Sequence, residues 1–215
     1  IVDNDFWDMR IKQRTEDGYF ALADKFAEQL MNGKFSDEMR EQLNRIIEYY
    51  GQDPYIVRSS SILEDGFGNA FAGKYESVFC ANRGTLEERL EEFEKAIKTV
   101  YASTMSLSAL DYRKRRGLDK RDEQMALLIQ RVSGSYYSSY YMPCAAGVGY
   151  SYSPYSFLKS SDQSAGMLRL VMGLGTSAVD RTDGSYPRLV SLDMPEKTVY
   201  STYADRHRFS QGKVE

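Results

Sequence analysis

The sequence predicts an α+β fold, with helices packed on a mainly antiparallel sheet. Three observations carry this reading. Apolar stripes at helical spacing crowd the first half, and short alternating or apolar runs bounded by Gly and Pro dominate the second. Strands do not alternate regularly with helices, as a doubly wound parallel sheet would require.

Tyr19, Leu22, Phe26 and Leu30 form one helical stripe from Tyr19 to Met31, which Asn32-Gly33 can end. Ser36 offers an N-cap to a second helix with the stripe Met39, Leu43, Ile46/Ile47 and Tyr50, closed by Gly51. After Pro54, Tyr55-Ile56-Val57 reads as a strand running into Arg58-Ser59-Ser60-Ser61. Glu64 to Asn69 reads as a polar loop, and Lys74 to Ala81 as a second strand. Thr85 and Glu88 have capping-box spacing and open the clearest helix, whose buried stripe is Leu86, Leu90, Phe93, Ile97 and Val100/Tyr101. A further helix passes through Leu110 and Tyr112 to Gly117. The remaining strand candidates are Met125 to Val132, Cys144 to Ser153, Met167 to Met172 and Leu189 to Leu192. The expected organisation is a helical segment, 1–53, followed by a second domain, 54–215.

A net charge of −3 gives neither nucleic acid nor an anionic membrane an electrostatic claim as main partner. The local exception, Arg113-Lys114-Arg115-Arg116, reads as a solvated helix end. No apolar run nears the ~20 residues that span a bilayer, no signal peptide is visible, and a cytoplasmic location is expected. Cys80 and Cys144 lie in strand-like segments without CxxC or Cys/His spacing, so buried free thiols are expected rather than a metal or redox site. The 17 tyrosines, many in 136–141 and 150–152, read as half-buried strand residues with wet hydroxyls. Ile1 and the polar stretch 211–215 read as boundaries cut from, or processed in, a longer protein.

Binding a nucleoside triphosphate requires a cation and close backbone N–H groups for the phosphates. It also requires an apolar slot with a backbone edge for the base. Arg58 ends a strand beside hydroxyls, Phe71-Ala72-Gly73-Lys74 follows a glycine-bearing loop, and Ile129-Gln130-Arg131-Val132 leaves a strand at a polar turn. Each signal is weak alone: no GxxxxGK[ST] loop occurs, and Gly173-Leu174-Gly175 lacks the third glycine of a dinucleotide fingerprint.

Their order is more specific. The segment Tyr55 to Asp65, followed by Ala70-Phe71-Ala72-Gly73-Lys74-Tyr75-Glu76-Ser77, resembles the "VRSSAxxED…SFAGxxE(S/T)" signature. That signature belongs to the nucleotide-binding domain of phosphoenolpyruvate synthases, pyruvate, phosphate dikinases and rifampin phosphotransferases. Tyr101-Ala102-Ser103 is similar to the family's "(W/Y)AS" helix, and Tyr112-Arg113 with Gly117 to its "YR…G" continuation. Leu128 to Val132 resembles "VxVQ(R/K)MV", Ala146-Gly147-Val148 "SGV(M/L)F", and Met172 to Gly175 "WGLG", so the likeness is collinear from about Tyr55 to Glu196.

The resemblance implies a partial ATP-grasp-like nucleotide-binding domain. Arg58 would bind ATP phosphates, beside Ser59. Phe71, Ala72 and Gly73, with Lys74, would fold over them, and Gln130, Arg131 and Val132 would form the hinge beside adenine. The parent enzyme would move a phosphoryl group from ATP to a histidine on a separate domain, then to pyruvate on a third, with Mg²⁺ held by ligands beyond Glu215. His207, the single histidine, lacks the setting of the carrier histidine, so the chain alone is expected to be inert. Thr176 stands where many relatives carry Glu, and Lys74 where Gln is common. These changes leave open another acceptor, such as an antibiotic or a glucan, and a non-catalytic nucleotide- or partner-sensing module.

Overall fold

The computed structural model describes residues 1–64, 73–155, 161–175, 178, 186–197, 202 and 204–205. The chain divides into two units, Ile1–Val132 and Ser133–Glu215. Helices and antiparallel sheets make it α+β, as the patterning implies.

The first unit is built around one three-stranded sheet. Its strands are β1 (Tyr55–Ser61), β2 (Ser77–Cys80) and β3 (Met125–Arg131), in the order β2-β1-β3 and antiparallel throughout. Helices α1 (Trp7–Gln13), α2 (Gly18–Ala21), α3 (Ala23–Asn32) and α4 (Asp37–Tyr50) precede it. Helices α5 (Leu86–Ser103) and α6 (Leu107–Arg115) lie in sequence between β2 and β3.

Alternation along β1 turns Tyr55 and Val57 to one face, where α4 and α5 cover them. Leu43, Ile47, Cys80, Leu90, Phe93, Ala96, Ile97 and Val100 complete that core. Removing so many apolar side chains from water stabilises each by about 1.5–3 kcal/mol relative to exposure, so α5 is the structural spine of the unit. Its start is sharp because Thr85 Oγ1 accepts from Glu88 N while the Glu88 carboxylate accepts from Thr85 N at 2.8 Å. A smaller core of Tyr19, Ala23, Phe26, Met105 and Leu110 joins α3 to α6.

The entry to β1 is pinned by side chains rather than by a tight turn. Asn82 Nδ2 donates to the carbonyls of Gly51 and Asp53, at 3.0 and 2.8 Å. Arg89 donates to Ile47 O at 2.9 Å and to Asn82 Oδ1 at 2.8 Å, satisfying a carbonyl at the C-terminal end of α4.

In the second unit, β4 (Ser135–Tyr137) and β5 (Tyr140–Met142) make a hairpin, and β6 (Ala146–Tyr150), β7 (Met167–Val171) and β8 (Arg188–Ser191) an antiparallel sheet. Gly147 is required where β6 meets β7, since a Cβ there would stand 2.2 Å from Arg169 O.

Four expectations need correction. The stripe from Tyr19 is not one helix: Leu22, at φ −104° and ψ 3°, bends it into α2 and α3, although Leu22 N and Phe26 N keep their helical acceptors. Arg113 is not solvated but 4% exposed, because it turns inward to a carboxylate. Cys144 is exposed in the coil before β6, while Cys80 is buried as expected. Tyr136, Tyr137 and Tyr140 are more exposed than half-buried strand residues, since the β4–β5 hairpin is only three residues long on each side. Helix α1 carries no clear stripe, and its stop is the buried Gln13, whose Nε2 donates to Tyr19 O at 2.9 Å.

Candidate functional site

The face of the β2-β1-β3 sheet opposite the helices is open. Register places Ile56 between Phe79 and Gln130, and Arg58 between Ser77 and Leu128, all on that face. Phe79 is 51% and Leu128 43% exposed, so an apolar floor lies beside an exposed guanidinium. Arg58 Nη1 donates to Gln130 Oε1 at 3.4 Å, a diagonal contact across the β1–β3 ladder.

The same alternation separates residues that the sequence places together. Ser59 lies on the opposite face from Arg58, and its hydroxyl donates to Glu64 Oε1 at 2.8 Å. Arg131 likewise turns away from Gln130. Its guanidinium pairs with Asp53 at 3.4 Å and lies 5.7 Å from the Tyr50 ring centroid. Its backbone has a different outlook. Val132 N donates to Pro54 O, so alternation turns the N–H and C=O of Gln130 toward β1 and those of Arg131 off the sheet edge. Further along the same edge, Ile129 O and Met125 O accept from the hydroxyls of Tyr50 (3.0 Å) and Tyr101 (3.5 Å).

Gly73 adopts φ 72°, a left-handed conformation that glycine takes without strain. Lys74 Nζ sits 5.8 Å from the Tyr112 ring centroid. Phe71, Ala72, Thr176 and His207 lie outside the described residues.

Beneath the end of β1 is a polar cluster that no motif reading singled out. The Glu123 carboxylate, 3% exposed, accepts from the hydroxyls of Ser61 and Tyr75, and Arg113 Nη1 stands 3.6 Å away. Arg113 also donates to Thr104 O. Ser61 Oγ accepts from Leu63 N, and Ser61 N donates to Glu64 Oε2, both at 3.0 Å. Burial pushes the Tyr75 phenol above its ordinary range; Arg113 pulls the other way and the bond to Glu123 reinforces the rise, so the hydroxyl stays a donor. Ser61, Glu64, Tyr75 and Arg113 fall within the motif segments, but nothing in those segments showed that they meet. Glu123 lies in none of them.

A cavity of about 430 Å³, lined by Phe6, Phe26, Leu30, Phe35, Met39 and Met105 among others, reaches Thr104 and Glu123 of this cluster, while Arg58, Gln130 and Lys74 are not in its wall. Among the described residues, no group of three or more His, Cys, Asp or Glu side chains could hold a metal ion. Among them, too, no helix is long and apolar enough to cross a membrane.

The family model of the pyruvate phosphate dikinase AMP/ATP-binding domain matches residues 9–210. A Bacillus subtilis (strain 168) protein described as an uncharacterized phosphotransferase, YvkC, is 30% identical over 109 residues. That match spans 49% of this chain and 12% of the relative. The chain belongs to the pyruvate phosphate dikinase AMP/ATP-binding domain family, and it is an ATP-binding domain of the phosphotransferase type.

Proposed function

We propose that ATP lies on the open face of the β2-β1-β3 sheet, with Arg58 on its phosphates and the β3 edge beside adenine. The observation that carries this is the meeting of Arg58 and Gln130 beside half-buried Ile56 and the exposed Phe79 and Leu128. A guanidinium recognises phosphate by charge-assisted, bidentate hydrogen bonds. Gln130 holds Arg58 without neutralising it, which leaves the charge available to a ligand. Arg131 serves through its outward backbone rather than its side chain, and Val132 closes the hinge. Gly73, Lys74 and, outside the described residues, Phe71 and Ala72 approach the phosphates, while Ser59 acts indirectly through Glu64.

In the whole protein, ATP donates a phosphoryl group to a histidine on another domain, and pyruvate on a third domain receives it. Fixed cations that stabilise charge on the transferring group are the general physical means. Among the described residues no group of three or more His, Cys, Asp or Glu side chains could hold Mg²⁺. The chain alone supplies nucleotide binding, and turnover needs the other domains.

Calorimetric titration of ATP with Mg²⁺ into the intact protein and its Arg58→Ala variant tests the reading. Loss of binding in the variant, with unfolding unchanged, is expected. Unchanged affinity would remove Arg58 from the site, and no binding by the folded wild type would favour a non-catalytic module.

A further inference from the structure

We infer that Glu123 is a positioning residue that holds the two phosphate-side segments of the site in one frame. This rests on the proposed roles of Arg58 and Lys74, and on a separate observation, the buried cluster at the end of β1.

The chain leaves the sheet at Ser61, three residues after Arg58, and Tyr75 stands between Lys74 and β2. These two points are 14 residues apart in sequence, yet one carboxylate receives both hydroxyls, one on each oxygen. Glu123 itself sits just before β3, which carries Gln130. A single buried group therefore joins the approaches to all three strands of the sheet. Arg113 from α6 balances its charge at 3.6 Å and is itself anchored on Thr104 O beyond α5. Arg113 Nε has no hydrogen-bond partner among the described residues, but the other polar groups of the network are engaged, and displacing any of them would leave a further buried polar group unsatisfied.

Glu64 extends the clamp outward. Its two oxygens take Ser59 Oγ and Ser61 N, so the side chain beside Arg58 and the backbone that Glu123 holds are locked together. None of these carboxylates faces Arg58. They fix where its strand ends and where Lys74 begins, not the ligand.

The test uses Tyr75→Phe and Ser61→Ala, which each remove one hydroxyl and keep the arginine–carboxylate pair, with Glu123→Gln as a third variant. ATP and adenosine affinities and hydrogen exchange of the backbone amides are measured on the intact protein. Misplacing phosphate-side groups should weaken ATP roughly tenfold or more, while adenosine, which has no phosphates, is unaffected. Tyr75→Phe should also accelerate exchange at Ser61, Leu63 and Glu64, across the clamp from the substitution. Equal losses for ATP and adenosine would reduce Glu123 to a stabilising residue, and unchanged ATP affinity would overturn the positioning role. If the folded wild type binds neither ligand, the nucleotide reading fails. In that case the clamp still stands or falls on the exchange at Ser61 to Glu64, where no acceleration overturns it.

Discussion

Arg58 and Gln130 touch although neither is the other's partner in the ladder. Arg58 is opposite Leu128, Gln130 is opposite Ile56, and the guanidinium reaches diagonally to the amide oxygen at 3.4 Å. The contact is long for a hydrogen bond, and both side chains are exposed. It orients the cation more than it stabilises the fold. A phosphate oxygen would replace the amide at little cost.

Gln130→Glu should therefore weaken ATP binding without unfolding the protein. A carboxylate in that place would hold the guanidinium by charge and compete with phosphate, lowering affinity roughly tenfold. Arg131→Ala removes an ion pair exposed on both sides, worth about 0–1 kcal/mol, and should leave ATP affinity nearly unchanged. Titration of both variants separates the two neighbours. A larger loss in Arg131→Ala than in Gln130→Glu would contradict the assignment of faces.

Much of the first unit was legible because its signals are local. Ser36 and Thr85 both cap as their spacing implies, and the period-two run from Tyr55 to Ser61 becomes β1. The bend at Leu22 was not legible, since Tyr19 and Phe26 are buried on either side of it and the stripe looks continuous. The sequence names candidate site residues but not the faces of the sheet on which they lie. Once β1 and β3 are paired, Ser59 and Arg131 must point away from Arg58, which a motif read along the chain does not reveal. Glu123 was invisible because its partners, Ser61, Tyr75 and Arg113, are far from it in sequence or ordinary in type.

Phe93 supports the site from behind. It is fully buried, and its ring meets Tyr55 edge-on at 5.2 Å, directly under the start of β1. Phe93→Ala should cost about 3–5 kcal/mol, read by urea unfolding. A cost below about 1 kcal/mol would mean the α5–β1 seam collapses to fill the cavity and is not the rigid base described.

Thr85→Ala tests the cap of the same helix. Losing the capping oxygen should cost about 1 kcal/mol. Glu88 adds a pH signature: hydrogen bonds from the Thr85 backbone and then from its side chain hold this carboxyl below its ordinary value. A depressed carboxyl contributes stability above its unfolded pKa, which is lost as pH falls through the folded one. Wild type should thus lose stability in acid more steeply than Glu88→Gln. Parallel acid limbs in thermal unfolding would show that the reciprocal bond does not persist in solution.

The two cysteines give the last contrast. Cys80 closes β2 against Tyr55 in the register and is 1% exposed. Burial pushes its thiol up to about 12, the negative charge of Glu92 adds to the rise, and the neighbouring Tyr55 hydroxyl opposes it. Cys144 is exposed. At about pH 8 a thiol reagent should label Cys144 quickly and Cys80 only after unfolding, because the attacking species is the thiolate and needs access. Alkali adds the linkage. From the ordinary value of 9.0 up to about 12, the unfolded chain releases the Cys80 proton while the native chain keeps it, so stability falls as pH rises through that window. Cys80→Ala should flatten this alkaline limb relative to wild type, after allowance for the lost volume. Labelling of Cys80 at a rate comparable with Cys144 in the native protein would show that the β2 edge of the core opens, and the buried sheet face beneath Arg58 would have to be redrawn.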